Sequence, residues 1–243
     1  MRLWKAWVVT RKDFDIFRRK RYILYSLIAL PLVLGLLFPG SILLAGRKSI
    51  PPALLASILQ SESTLFIILP AILPSVIASY SFIGEKTEKS LEPLLATPTT
   101  DAELLLGKSL AALIPSIAAT LVGGAVFMVI SDALTVGQLG YLLFPDWTTV
   151  VLFGLATPLA CILSVEFNII ISSRVNDIRA AQQLGSLIVL PLLAIYLLGQ
   201  TGVLSAGVGE LLVVSGILLV IDVLLSFMSR AVFQREEILT KWR

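Results

Sequence analysis

The sequence contains no histidine and a single cysteine, Cys161, among 243 residues. A lone cysteine excludes an intramolecular disulfide. The missing histidine excludes zinc sites built from Cys and His, His-based catalytic triads and haem ligation through His. Charge is also scarce. Only 14% of residues are Asp, Glu, Lys or Arg, against about 25% in ordinary soluble domains. Hydrophobic residues reach 57% and the mean hydropathy is +0.93. A soluble fold has no interior large enough for that excess, so the long apolar runs point to lipid.

Those runs predict an all-α integral membrane protein forming a single transmembrane domain over 1–243. Six spans are expected, at 22–45, 64–84, 109–131, 148–172, 184–201 and 210–229. About 20 residues at 1.5 Å rise cross the hydrocarbon core. Continuous apolar runs favour helices, because barrel strands alternate. Pro31, Pro70, Pro74, Pro115, Pro158 and Pro191 fall inside the spans, where neighbouring helices re-satisfy freed carbonyls. They read first as kinks; the alternative is that Pro70 and Pro74, in one helix, mark a broken segment near the pathway. Gly123, Gly124 and Gly154 are expected to let helices pack closely.

The net charge of +3 says little, but its distribution says more. Of the 19 Lys and Arg residues, only Arg47 and Lys48 fall between spans on the side opposite the termini. The positive-inside rule therefore puts both termini in the cytoplasm of a multi-pass plasma-membrane protein. The N-terminus lacks the short basic and short apolar pattern of a signal peptide. Residues 1–20 instead place Leu3, Trp4, Trp7, Val8, Phe14 and Phe17 at three- and four-residue intervals among basic residues. That is the pattern of an amphipathic helix lying in the interface, with Trp4, Trp7, Phe14 and Phe17 as anchors. An ordinary positive flank is the alternative; the two tryptophans favour the interface. A basic cluster can also bind nucleic acid, but this one abuts an apolar run. Residues 49–63 are semi-apolar and too short to span. Like 142–147, they suit a short interfacial or re-entrant piece. The cytoplasmic tail covers 230–243.

The most informative stretch follows the second span. It reads Gly84-Glu-Lys-Thr-Glu-Lys-Ser-Leu-Glu-Pro-Leu-Leu-Ala-Thr-Pro98, then Thr99-Thr-Asp-Ala-Glu-Leu-Leu-Leu-Gly-Lys108. Leu91, Leu94 and Leu95 share one helical face, and Thr97-Pro98 ends that helix. Thr100 or Asp101 then caps a second helix with Glu103 in its first turn. An apolar patch on a cytoplasmic loop needs a cover, either the protein's own helix ends or a partner. The segment 102–109 nearly spells a phosphate-binding loop. Its first glycine is missing, and three leucines occupy the turn where backbone N–H groups would have to face the anion.

Inside the spans, Glu166 and Asp222 each precede a basic residue by two helical turns, and ionisable groups at that depth are candidates for a transport pathway. Asn168 is a further candidate for that pathway. The other reading for all three is hydrogen bonding or ion pairing between helices.

The loop after span two resembles the signature of ATP-binding-cassette (ABC) exporter permeases of the type-two class. Order and spacing also agree at 171–185, Ile-Ser-Ser-Arg-Val-Asn-Asp-Ile-Arg-Ala-Ala-Gln-Gln-Leu-Gly, and at 233–243, Phe-Gln-Arg-Glu-Glu-Ile-Leu-Thr-Lys-Trp-Arg. The resemblance implies that residues 1–20 form the elbow helix and that 85–100 form the cytoplasmic coupling loop. Glu85, Glu88, Leu91, Glu92, Pro93, Leu94, Leu95, Thr97 and Pro98 would dock on a separate ATPase subunit. Arg174, Asn176, Asp177 and Arg179 would make a second cytoplasmic contact. Two copies of the chain would pair with two ATPases, which bind the ATP and magnesium; this chain would hold no cofactor or metal and would have no catalytic site. An ion-gradient-driven transporter or channel using Glu166 and Asp222 is the rival reading. No inverted repeat supports it. A third rival, an intramembrane enzyme, is not supported: the lack of histidine removes a Ser-His protease, and no paired carboxylates stand in a recognisable motif. The substrate, whether drug, lipid, sodium or another, is left open.

Overall fold

A computed structural model of the chain describes residues 3–44, 50–84, 99–175, 177–200 and 207–232. Among these residues the chain is helical, with no strand. The helices are α1 (Leu3–Arg19), α2 (Arg21–Leu44), α3 (Pro52–Thr64), α4 (Leu69–Ser79), α5 (Asp101–Leu139), α6 (Trp147–Val151), α7 (Thr157–Ser172), α8 (Ile178–Ser186), α9 (Val189–Gln200) and α10 (Val208–Val232). Six stretches are long and apolar enough to cross a membrane: Arg21–Ile42, Pro52–Gly84, Asp101–Leu139, Trp147–Ser172, Ile178–Leu198 and Val208–Ser229.

Prolines set where these stretches change winding. Pro70 has no N–H, so the Phe66 carbonyl loses its usual donor four residues on. The Leu69 N–H takes that place, which tightens Leu65–Ile68 into a 3₁₀ turn. The same substitution precedes Pro191, where the Leu190 N–H donates to the Leu187 carbonyl at 3.0 Å and separates α8 from α9. Before Pro158 the winding widens instead, and the Thr157 N–H reaches back to the Leu152 carbonyl. Near Pro70 the disturbance is a 3₁₀ tightening just before the proline, and Pro74 lies within α4.

Two boundaries differ from expectation. Residues 52–64 do not form a separate interfacial piece. They make α3, which runs through the 3₁₀ turn into α4 as one 33-residue apolar stretch. Leu55 and Leu59 are fully buried, and this packing overrides the modest hydrophobicity that set the segment apart. The third stretch starts at Asp101, well before residue 109. The expected cap is present, with the Thr100 hydroxyl accepting from the Glu103 N–H and the Glu103 carboxylate accepting from the Thr100 N–H. The resulting α5 has 39 residues and ends at Gly140, whose φ of 76° suits a residue without Cβ. At 1.5 Å per residue it is about 58 Å long, nearly twice the hydrocarbon thickness of about 30 Å. Residues 142–147 form the link to α6, with Leu143 and Phe144 buried and Leu142 and Trp147 exposed.

Close approach of α2 and α5 depends on glycine. A methyl built on Gly123 would stand 2.5 Å from Pro31 Cβ, and one on Gly35 would stand 2.7 Å from the Gly123 carbonyl. Gly124 similarly admits the Phe153 ring. Gly154 differs from expectation, because nothing lies within 4 Å of a Cβ placed there. One apolar core gathers Phe38, Phe66, Phe127, Phe144 and Phe153 at the end of the bundle away from α1. Adjacent rings among them are 5.2–6.1 Å apart. A second core lies at the α1 end and includes Val9, Phe17, Ile77, Phe82, Leu104 and Ile169.

Candidate functional site

α1 lies across the beginning of α5 and presents two faces. Leu3, Trp4, Trp7 and Val8 stay exposed, whereas Ala6, Val9, Thr10, Asp13 and Phe17 are buried. Phe14 is half-buried against the same core as Phe17. The predicted apolar stripe is thus divided, with the tryptophans on the open face and the phenylalanines turned toward the bundle. Contact with α5 is backbone-close. A Cβ on Gly107 would stand 2.6 Å from the Ala6 carbonyl, and the Thr10 hydroxyl donates to the Gly107 carbonyl at 2.9 Å.

Beside this contact sits a buried polar cluster. Lys108, from the first turns of α5, is 0% exposed, and Asp13, from α1, is 1% exposed. Lys108 Nζ lies 3.8 Å from Asp13 Oδ2. Ser81, in the π-wound turn Tyr80–Gly84 that follows α4, joins them. Its hydroxyl donates to Asp13 Oδ2 at 2.5 Å, and its carbonyl accepts from Lys108 Nζ at 2.5 Å. The ammonium also stands 5.4 Å from the centre of the Phe82 ring, a cation–π distance. Desolvating two charges costs several kcal/mol per ion unless they are paired and hydrogen-bonded, and here they are. Three elements therefore meet at one point: α1, the end of the second stretch and the start of the third.

That point is the base of the 85–98 loop. Glu85, Glu88, Leu91, Glu92, Pro93, Leu94, Leu95, Thr97 and Pro98 lie outside the described residues. Its two flanks, Gly84 and Thr99, are described, and Gly84 is buried. The turn after α7 opens at the same end, because α4 and α7 run parallel. The Ser164 hydroxyl donates to the Ala71 carbonyl at 2.7 Å, and the Ser79 hydroxyl donates to Asn168 Oδ1 at 3.1 Å. In that turn Arg174, Asp177 and Arg179 are exposed, and Asn176 lies outside the described residues. The Asp177 carboxylate accepts from the Ala180 N–H at 2.8 Å and so caps α8.

Of the pathway candidates, two come together and one does not join them. Glu166 in α7 faces α10 closely enough for its charge to act on Asp222. Asp222 is 6% exposed, and neither of its carboxylate oxygens has a hydrogen-bond partner among the described residues. Asn168 is fully buried between α4 and α8. Its amide donates to the Ser164 carbonyl at 3.1 Å, and a Cβ on Gly185 would press on its oxygen at 2.4 Å.

Sequence reasoning missed Asp13, Ser81 and Lys108. Lys108 counted only as one more positive-inside charge, and Asp13 was one acid in a basic segment. A signal was present: Asp13 falls four residues from Val9 and from Phe17, on the face that proves buried.

The family model described as "ABC-2 family transporter protein" matches residues 15–178, from within α1 to the first residue of α8. No curated protein matches the chain.

Proposed function

Because this chain belongs to the ABC-2 family of transporter proteins, whose model covers more than half of it, we propose that it is the permease subunit of an ATP-driven exporter, coupled to a separate ATPase through residues 85–98. Membership makes it a multi-pass membrane transport protein. The proposal adds the direction of transport, the ATPase partner, pairing with a second copy and cytoplasmic termini.

The observation that carries the coupling role is the anchoring of the loop. Both of its flanks are held at one end of the bundle by the Asp13–Ser81–Lys108 cluster. A segment that receives force from a soluble partner must be rooted in the membrane helices it moves. The distribution of Lys and Arg puts that end in the cytoplasm. In sequence, Leu91, Leu94 and Leu95 stand among Glu85, Glu88 and Glu92, a composition suited to docking. ATP and magnesium belong to the partner, and Arg174, Asp177 and Arg179 offer it a second exposed contact. Trp4 and Trp7, on the open face of α1, hold that helix at the interface.

Leu91→Asp/Leu94→Asp tests this reading. Burying each leucine contributes about 1.5–3 kcal/mol, so the double variant should insert in the membrane and lose its ATPase on purification. Unchanged copurification together with unchanged substrate-stimulated hydrolysis would refute the role of this loop.

A second reading, ion-gradient-driven transport, is favoured by one observation, the unpartnered Asp222 carboxylate beside Glu166. Transport that persists in vesicles without ATP but collapses with the ion gradient would select it.

A further inference from the structure

We propose that Asp13, Ser81 and Lys108 form a permanent clamp that makes α1 and both flanks of the 85–98 loop move as one body. The proposal rests on the coupling role of that loop and adds a positioning function for three residues that need touch neither ATPase nor substrate.

The argument begins with the connectivity of the cluster. Ser81 precedes the loop, Lys108 follows it, and Asp13 belongs to neither side. Ser81 donates to Asp13 with its hydroxyl and accepts from Lys108 with its carbonyl, while Lys108 also faces the Asp13 carboxylate. Each residue therefore contacts the other two, and none can leave the cluster without losing its contacts to both. The Lys108 and Asp13 side chains are 1% and 2% exposed. Water cannot replace a broken contact at that burial, so an opened cluster would leave unpaired charge in an apolar surround. The energetic penalty of opening is thus steep, and the cluster resists the small relative motions that surface contacts allow.

The adjoining contact has the same character. Thr10 donates to the Gly107 carbonyl, and the absence of a Cβ at Gly107 lets the α1 backbone rest directly on α5. α5 remains α-helical through Pro115 to Leu139, so its first turn is joined to the rest of the bundle by one helix. In contrast, the second and fifth stretches are divided at their prolines. Force entering at the loop flanks is thereby directed into α1 and α5 together.

The test uses the full chain copurified with its ATPase and reconstituted in lipid. Spin labels at Val8→Cys and Thr99→Cys, in a Cys161→Ala background, report the distance between α1 and a flank of the loop. In the otherwise native protein that distance should be the same with and without bound nucleotide. In Asp13→Asn/Lys108→Met, which removes both charges while keeping similar volumes, the distance should broaden and become nucleotide-dependent. Stimulation of hydrolysis by the reconstituted chain, relative to the ATPase alone, should fall about tenfold, within the range of roughly 5–150-fold typical of coupling between sites, while the ATPase's own hydrolysis is retained. Lys108→Arg, which keeps the cation, should preserve both the distance and the stimulation. A merely structural role predicts lower thermal stability with stimulation intact. A nucleotide-dependent distance in the native background would overturn the clamp, and so would full stimulation in the neutral pair. The first of these measurements does not depend on the neutral variant folding. If no ATPase copurifies with the native chain, the coupling reading itself fails, which is a separate outcome.

Discussion

Gly107→Ala tests the seat of α1 on α5 with the smallest possible perturbation. The added methyl would stand 2.6 Å from the Ala6 carbonyl oxygen and 2.7 Å from Val9 Cβ. Relaxed carbon contacts are about 3.5–4.0 Å, so α1 must retreat by about 1 Å. The Ala6 oxygen is backbone and cannot swing aside. Retreat lengthens the 2.9 Å bond from Thr10 to the Gly107 carbonyl beyond hydrogen-bonding range. Overpacking costs about 1–3 kcal/mol and the lost bond about 0.5–1.5 kcal/mol. Alanine recovers about 0.8–1 kcal/mol of helix propensity, leaving a net destabilisation of about 0.5–3.7 kcal/mol. Gly154→Ala is the matched control, because nothing lies within 4 Å of its new methyl. It should be neutral or stabilising by up to about 1 kcal/mol. Thermal unfolding of the two variants in the same detergent compares identical chemistry in two environments. A Gly107→Ala protein as stable as the native chain, or a Gly154→Ala protein equally weakened, would refute the reasoning.

Topology is tested by cysteine labelling of intact cells in a Cys161→Ala background: Arg47→Cys should react with a membrane-impermeant reagent and Lys89→Cys should not, and the reverse pattern would invert the orientation. If Glu166 and Asp222 serve the pathway, Glu166→Gln and Asp222→Asn should each abolish transport in vesicles while leaving assembly intact; normal transport by both variants would leave the pair a purely structural role. Thr100→Ala removes the hydroxyl that accepts from the Glu103 N–H and should cost about 0.5–2 kcal/mol in thermal unfolding; no change would mean that tertiary contacts alone fix the start of α5.

The apolar spans were legible in the sequence because lipid demands about 20 continuous apolar residues, a signal that survives without tertiary context. The capping box at Thr100 and Glu103 was legible for a similar reason, since caps are local chemistry. The π and 3₁₀ windings were only half legible: prolines announced a disturbance, but neighbours decide whether the helix tightens before Pro70 or widens before Pro158. α3 was misjudged because Leu55 and Leu59 are buried by packing that their own segment does not encode. The Asp13–Lys108 contact was illegible for the plainest reason. Nothing local ties an acid in a basic segment to a lysine in a later helix, and only the fold selects which charges meet. Glu166 and Asp222 stood out individually because they sit in apolar runs, but that α7 and α10 would bring them together depended on helix packing.

Lys108 serves the protein twice, at different moments of its life. While the chain is being threaded into the bilayer, Asp13 and Ser81 are 68 residues apart along it, and Ser81 and Lys108 are 27 apart. No ion pair exists then, and Lys108 is an unmasked positive charge at the mouth of the third span. Under the proposed orientation, such a charge would help retain that end of the span in the cytoplasm. Once the helices assemble, the same ammonium is withdrawn from solvent and matched to a carboxylate made long before it. The buried face of α1 therefore gains its charged partner only once the third span is in place. Without that lysine, the bare Asp13 carboxylate on the buried face of α1 would oppose its immersion in hydrocarbon.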